Sequence, residues 1–228
     1  MNINYIDLCS GIGGFRIAIE DFQKENPDIK FKCVLTADIK QDAIDTYNLN
    51  FNEQNEKCDI YSLEPDKVKS FDLLCAGFPC QPFSSAGQKK GFGDDRGGMI
   101  FKILELCEYH KPKYVLLENV YNLITIDGGK CIKTIVELFE KLNYNVCYEK
   151  LNSKDYGCPQ SRERVYIICT LDKRVDFSKL PMNLEKKRLC DVMDYTDKKS
   201  NIDSDFVSKL LNLNKTKAID GCKICDKR

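Results

Sequence analysis

Along the first 170 residues, apolar runs of strand length alternate with stretches of helical spacing, and short polar or glycine-rich turns separate them. Residues 4–8 read as a first strand. The turn Cys9-Ser10-Gly11-Ile12-Gly13-Gly14 leads from it into a helix whose Phe15, Ala18, Ile19 and Phe22 recur on one face, at the spacing of an amphipathic helix packed on a core. Residues 31–36 predict a second strand, 41–51 a helix and 58–60 a short third strand. A buried strand over 71–76 is stopped by Gly77 and Pro79. Helical spacing returns at Ile100, Ile103, Leu104 and Cys107, and Pro112 ends it. Strands follow at 114–117, 144–151 and 165–170, with a helix carrying Ile132, Ile135, Val136 and Phe139 before the second of them. Repetition of strand, turn, helix and strand predicts the α/β class with a doubly wound, mostly parallel sheet.

Beyond residue 171 the pattern weakens into Lys-, Asp- and Asn-rich sequence with one short candidate helix at 205–213. The expected division is therefore a domain over 1–171 and an irregular C-terminal extension or linker over 172–228. A chain of 228 residues holds one good core but hardly two full domains. Hydrophobic residues at 43% and charged residues at 31% suit a soluble folded protein. No apolar run reaches transmembrane length, and Met1-Asn2-Ile3-Asn4 lacks the basic-then-apolar order of a signal peptide. The expected compartment is thus the cytoplasm, without a membrane partner. The 13 cysteines form no spaced framework and read as reduced thiols. A net charge of zero excludes a protein that holds nucleic acid by its whole surface, and leaves room for a local basic patch or a partner that supplies the charge.

Candidate chemistry concentrates where strands end, the edge at which open α/β sheets bind ligands. In Gly77-Phe78-Pro79-Cys80-Gln81-Pro82-Phe83-Ser84-Ser85, a cysteine between two prolines follows a buried strand. Thiolate sulfur attacks carbon readily, so Cys80 is a candidate nucleophile, set against the bland reading of a cysteine as a small buried hydrophobe. The long loop 84–98 has no apolar face and reads as functional. Strand 114–117 delivers Glu118-Asn119-Val120 to the same edge, where Glu118 is either a chemical group or an acid capping the next segment. Asp38, about 25 positions after the glycine-rich turn, is placed to accept hydrogen bonds from ribose hydroxyls. Arg162 and Arg164, in the loop 155–164, point the same way if the backbone is extended, as suits a phosphate or a planar base edge. His110, the single histidine, sits in a last helical turn and reads as a helix-end or solvent contact. Cys222 and Cys225 form half a zinc site with no second half, and read as incidental.

Four of these segments together, Asp7 to Arg16, Gly77 to Ser84, Glu118 to Val120 and Gln160 to Arg164, resemble the cytosine-5 DNA methyltransferase family in order and in content, over about residues 4–170. One departure is Cys9, where the family usually carries a phenylalanine against the cofactor adenine. The resemblance implies the Rossmann-like fold of S-adenosylmethionine-dependent methyltransferases, with S-adenosylmethionine as cofactor and double-stranded DNA as substrate. It implies Cys80 as the thiolate that adds to cytosine C6, and Glu118 as the acid beside N3, held by Asn119. Arg164 would contact the base oxygen, while Arg162 would support the closed loop and the DNA backbone. The loop carrying Lys89, Lys90 and Arg96 would close over a flipped base. The cofactor-binding set it implies is Asp7, Cys9, Gly11, Gly13, Gly14, Asp38, Ile39, Asp59, Ile60 and Pro79. Complete family members continue into a target-recognition domain and a closing Gly-Asn-x-Val segment. Neither is visible after Thr170, so a second subunit carrying both is expected, or else a truncated product. A tRNA methyltransferase of the same family and a catalytically silent cofactor-binding subunit remain alternatives. A nicotinamide oxidoreductase is disfavoured, because Arg16 stands where its third glycine belongs.

Overall fold

The computed structural model describes residues 1–79, 98–180 and 187–188. Cys80, Lys89, Lys90, Arg96, the candidate helix 205–213 and the pair Cys222 and Cys225 lie outside the described residues.

Six strands, β1 (Asn2–Leu8), β2 (Lys30–Ala37), β3 (Leu73–Gly77), β4 (Tyr114–Val120), β5 (Asn145–Asn152) and β6 (Glu163–Thr170), form one sheet in the order β2-β1-β3-β4-β6-β5. β1 pairs in parallel with β2 and β3, and β3 with β4, while β6 runs antiparallel to β4. The helices between them are α1 (Gly14–Glu25), α2 (Gln41–Phe51), α3 (Met99–His110) and α4 (Lys130–Lys141). This is the mostly parallel α/β architecture that the alternating pattern predicts.

Residues 58–60 do not form the expected third strand. Cys58 N donates to Asp38 O (2.9 Å), and the Asp59 carboxylate accepts from Tyr61 N (3.0 Å) to open a 3-10 turn over Ile60–Ser62. A short acidic side chain that bonds its own backbone competes with a strand ladder, and here it wins over a three-residue apolar signal.

The core lies on one face of the sheet. Ile6, Leu8, Leu74, Ala76, Val115, Leu117, Val165 and Ile167 alternate along their strands toward α3 and α4, which contribute Ile100, Ile103, Leu104, Ile132, Ile135 and Phe139, all buried. The opposite face is covered over β1 and β2: Thr36 Oγ1 donates to the Tyr47 hydroxyl of α2 (3.2 Å), and Phe22 of α1 meets Phe31 edge-on at 6.0 Å. Farther along that face the cover thins. Tyr114, Leu116 and Glu118 on β4, and Arg164, Tyr166 and Ile168 on β6, are only half-buried while their neighbours on the core side are fully buried. α1 buries no residue completely, and two of its predicted core positions are exposed, Ala18 and Phe22. The helix is correctly expected but its apolar stripe is half-covered, and Arg16 lies on the inner flank instead. His110 sits in the last turn of α3, as expected, and is half-buried there, its Nε2 within 2.8 Å of Pro65 O and its ring 4.7 Å from Phe71.

Two compact units are distinguished, Met1–Lys150 with Arg164–Ser178, and Leu151–Glu163 with Lys179–Arg228. In the second, Asn152 and Ser153 close the base of a loop: Arg162 N donates to Asn152 Oδ1 and Ser153 Oγ (both 3.1 Å), and Ser153 N donates to Arg162 O (3.1 Å). No helix of the described residues is long and apolar enough to cross a membrane.

Candidate active site

The carboxyl ends of β1, β3 and β4 lie side by side, and the turn after β1, Asp38 and Glu118 lie at that edge. β1 stops at Leu8 because Cys9 turns into the left-handed region (φ 53°), a conformation that costs a non-glycine residue about 1 kcal/mol. Ser10 N then donates to Ala37 O (3.2 Å), tying the turn to the end of β2. Gly11 N donates to Asp38 Oδ2 (2.9 Å), and Lys40 N to Asp38 Oδ1 (2.9 Å), so the Asp38 carboxylate is held by two backbone amides with lone pairs to spare. At Gly13 (φ 94°) a Cβ would lie 2.2 Å from Phe51 Cε2, so only glycine lets the turn approach α2 this closely before Gly14 begins α1. Arg16 locks the two helices together: its guanidinium bonds Glu20 (2.8 Å) and Glu53 (2.9 Å) and lies 4.5 Å over the Phe51 ring. Sequence reading treated Arg16 only as a motif residue and missed this clamp.

Asp7, on β1 just before the turn, is fully buried, and both of its carboxylate oxygens lack a hydrogen-bond partner, as does buried Ser10 Oγ. Buried polar atoms of this kind are exceptional and point to a group that completes them. Burial pushes the Asp7 carboxyl up to about 7, with Asp38 adding and Arg16 opposing. Because the folded-state value lies above the ordinary 3.8, Asp7 favours the fold at low pH, and that contribution is lost as pH rises from about 4 through about 7. Asp7→Asn removes the charge that must be buried at higher pH. Its thermal midpoint is expected to exceed the wild type's by several degrees at pH 8, equivalent to roughly 2–4 kcal/mol, with the gap narrowing toward pH 5. Melting curves of both proteins over that range check this; a pH-independent gap contradicts it.

Beside the turn, Cys9 Sγ lies 2.9 Å from Met99 Sδ at the start of α3. Burial pushes the Cys9 thiol up to about 12, with Asp38 and Asp7 adding. Burial also raises Cys33, Cys58, Cys75, Cys107, Cys147 and Cys169. Ile60 is buried, Ile39 is exposed after Asp38, and Asp59 spends one carboxylate oxygen on its own turn. Pro79 is exposed just past β3.

Glu118 stands inside β4, not after it, in register between Gly77 of β3 and Tyr166 of β6. The capping alternative therefore fails: the turn that begins at Tyr121 has Val120 at its N-cap, and Glu118 Oε1 pairs with Arg164 Nε at 2.8 Å. Glu118 Oε2 and Cys9 O both lie 3.7 Å from where a Gly77 Cβ would be, which places the carboxylate beside the end of β3. Buried Asn119 points to the other side, donating from Nδ2 to Phe78 O (2.9 Å) and accepting from Val120 N (2.8 Å). It fixes the backbone two residues before Cys80. Glu118, Asn119 and Arg164 thus come together with the end of β3, while Arg162 belongs to the second compact unit, its side chain exposed. The Asn152 and Ser153 clamp on that loop was also missed. Its signal was an Asn-Ser pair at a strand end, a common side-chain-to-backbone turn.

A profile of the family described as C-5 cytosine-specific DNA methylase matches residues 3–225. Among curated proteins, the type II methyltransferase M.BanI of Aneurinibacillus aneurinilyticus is 44% identical over 174 residues, covering 76% of this chain and 40% of that protein. M.HhaI of Haemophilus parahaemolyticus is 40% identical over 167 residues, covering 73% of this chain and 49% of that one. The chain thus spans half or less of the length of these two relatives. Among solved structures, a putative DNA modification methyltransferase encoded within an E. coli prophage superposes with a TM-score of 0.62 at 23% identity, over 82% of this chain and 52% of that one. The S. pombe Dnmt2 methyltransferase superposes at 0.59 and 24%, over 78% and 52%. At these identities the superpositions speak to the fold.

Proposed function

The chain belongs to the C-5 cytosine-specific DNA methylase family, and from that membership we propose that it transfers a methyl group from S-adenosylmethionine to C5 of cytosine in DNA, as the catalytic subunit of a two-part enzyme. The observation that carries this reading is the Glu118 carboxylate on the sheet rim, paired with Arg164 and in register with Gly77, which stands three residues before Cys80.

Cytosine C5 is a poor nucleophile. Addition of the Cys80 thiolate at C6 moves electron density toward N3 and makes C5 enamine-like; Glu118 holds a proton at N3 while this density develops. Arg164 orients the Glu118 carboxylate through its Nε and faces the base oxygen, and Asn119 anchors the Phe78 carbonyl just after β3. After methylation, loss of the C5 proton to water re-forms the C5–C6 double bond and expels Cys80 as thiolate, while the N3 proton returns to Glu118. Arg162 and the loop 84–98 would hold the strand and exclude water around the flipped base. Bound S-adenosylmethionine would supply an electrophilic methyl on a sulfonium. Asp38 would hold its ribose, Gly11, Gly13 and Gly14 would admit it close to the backbone, and the unpartnered Asp7 and Ser10 side chains fit a polar group at the turn. Cys9, Ile39, Asp59, Ile60 and Pro79 would complete its pocket.

The two-part reading is supported by the half-covered face of β4 and β6, because mostly parallel sheets are ordinarily covered on both faces. Residues 1–171 would then carry the catalytic domain and 172–228 would lead toward a recognition domain. DNA is favoured over tRNA as substrate because the curated relatives are type II methyltransferases. The test is nucleoside analysis after reaction of the complete enzyme with duplex DNA and, separately, tRNA: 5-methylcytosine is expected in the DNA. Glu118→Gln should lower turnover about 10²-fold or more with the thermal midpoint nearly unchanged. Activity that merely tracks the folded fraction would make Glu118 a structural residue.

A further inference from the structure

We propose that Arg16 is a positioning residue for the cofactor: acting through the Phe51 ring, it holds the glycine turn against the end of α2 in the shape that admits S-adenosylmethionine. This rests on the function proposed above and deepens it. The turn after β1 is anchored from both ends of α2. At the start of that helix, the Asp38 carboxylate accepts from Gly11 N and from Lys40 N (both 2.9 Å). At its other end, Asn50 Nδ2 donates to Ile12 O (3.3 Å). The Phe51 ring fills the place where Gly13 lacks a side chain, since a Cβ there would lie 2.2 Å from Phe51 Cε2, 2.6 Å from Cζ and 3.2 Å from Tyr47 Cδ2. The position of that ring therefore sets how the turn sits.

Phe51 is the last residue of α2, and helix ends fray. Arg16 opposes this. Its guanidinium lies 4.5 Å over the Phe51 ring, donates to the Tyr47 hydroxyl (3.4 Å) and pairs with Glu53 (2.9 Å). Glu53 is brought within reach because Asn52 turns into the left-handed region (φ 51°) and Glu53 N donates back to Asn48 O (3.1 Å). The glycine turn, the first turn of α1 and the last turn of α2 are thus joined in one ring of contacts. An arginine that merely stapled α1 would need only its pair with Glu20 four residues on. The planar face over Phe51 and the tether to Glu53 reach beyond α1, and a lysine could not supply both. Glu20 and Glu53 are 45% and 42% exposed, so loss of Arg16 leaves two hydrated carboxylates and no buried charge.

Equilibrium dialysis of tritiated S-adenosylmethionine against the complete enzyme measures cofactor affinity without turnover. Arg16→Met and Phe51→Leu should each weaken binding about tenfold, the size of effect by which a packed network biases a site it does not touch. Both act through one ring, so the double variant should lose about tenfold and not about a hundredfold. Glu20→Gln, which breaks only the bond inside α1, should bind as the wild type does. Dialysis well below each variant's thermal midpoint keeps a fall in stability out of the affinity. In steady-state turnover the two single variants should raise KM for S-adenosylmethionine with kcat unchanged. Wild-type affinity in both single variants, losses that multiply in the double variant, or an equal loss in Glu20→Gln would each overturn the proposal and leave the methylation reading standing. Should Arg16→Met not fold, Glu53→Gln removes only the exposed tether: a loss of about threefold is expected, and wild-type affinity there overturns the proposal. A wild-type enzyme that takes up no S-adenosylmethionine overturns the methylation reading, and this one with it.

Discussion

Cys80→Ala abolishes covalent capture of DNA containing 5-fluorocytosine. With wild-type complete enzyme and S-adenosylmethionine, the thiolate adds to C6 and the methyl group joins C5. Fluorine cannot then leave C5 as a cation, so elimination is blocked and the adduct survives denaturation. Cys80 lies outside the described part of the chain, and support for it as the nucleophile comes from its motif and from the described residues that precede it. β3 ends at Gly77, the Phe78 carbonyl is held by Asn119, and Glu118 stands in register with Gly77, so residues 77 and 78 are held beside that carboxylate. The rival thiols are poorly suited. Cys9 stands on the same rim, but burial and two nearby carboxylates keep it protonated, and Cys75 is buried within β3 with its thiol raised well above the ordinary value. Gel-resolved adduct formation followed by peptide mapping measures this directly. An adduct that still forms with Cys80→Ala would mean that another thiol attacks.

The strand ends were legible in the sequence because each is written twice, as an apolar run and as the residue that breaks it. Gly77 and Pro79 end β3, and the glycine turn ends β1, so the sequence alone refers Glu118 and Asp38 to one edge of the sheet. What periodicity hid were side-chain bonds to backbone and pairings across the fold. Asp59 looked like a strand-end acid but caps a 3-10 turn, because a bond from a side chain to its own backbone leaves no trace in hydropathy. The pairing of Glu118 with Arg164 joins residues far apart in the chain, and only the antiparallel placement of β6 against β4 brings them together. The apolar stripe of α1 was read as a buried face because spacing reports that a face is apolar, not that something covers it; Phe22 is 47% exposed.

The half-buried strip on β4 and β6 leads to the second large effect: the purified chain alone transfers little or no tritiated methyl to duplex DNA, and a second polypeptide carrying a recognition domain and a Gly-Asn-x-Val segment restores it. Two energies set this expectation. Drawing a base out of the duplex costs a few kcal/mol of unstacking, which contacts on both sides of the target must offset. A chain of zero net charge has few of them to offer. The second is order at the rim. Leu116 and Ile168 stand opposite each other in the β4–β6 ladder, half-buried on the face away from α3 and α4, directly below Glu118 and Tyr166. A partner segment laid on this strip would bury their remaining apolar surface, worth about 25 cal/mol per Å², and stiffen the strand that carries Glu118. Leu116→Lys should therefore weaken restoration by the partner while leaving the far-ultraviolet circular dichroism of the chain alone unchanged, since a lysine on a half-exposed position can reach solvent. Methyl transfer titrated with the partner, for wild type and Leu116→Lys, gives the readout. Full sequence-specific activity from the 228 residues without any partner would show that residues 172–228 already supply what this strip and the DNA require.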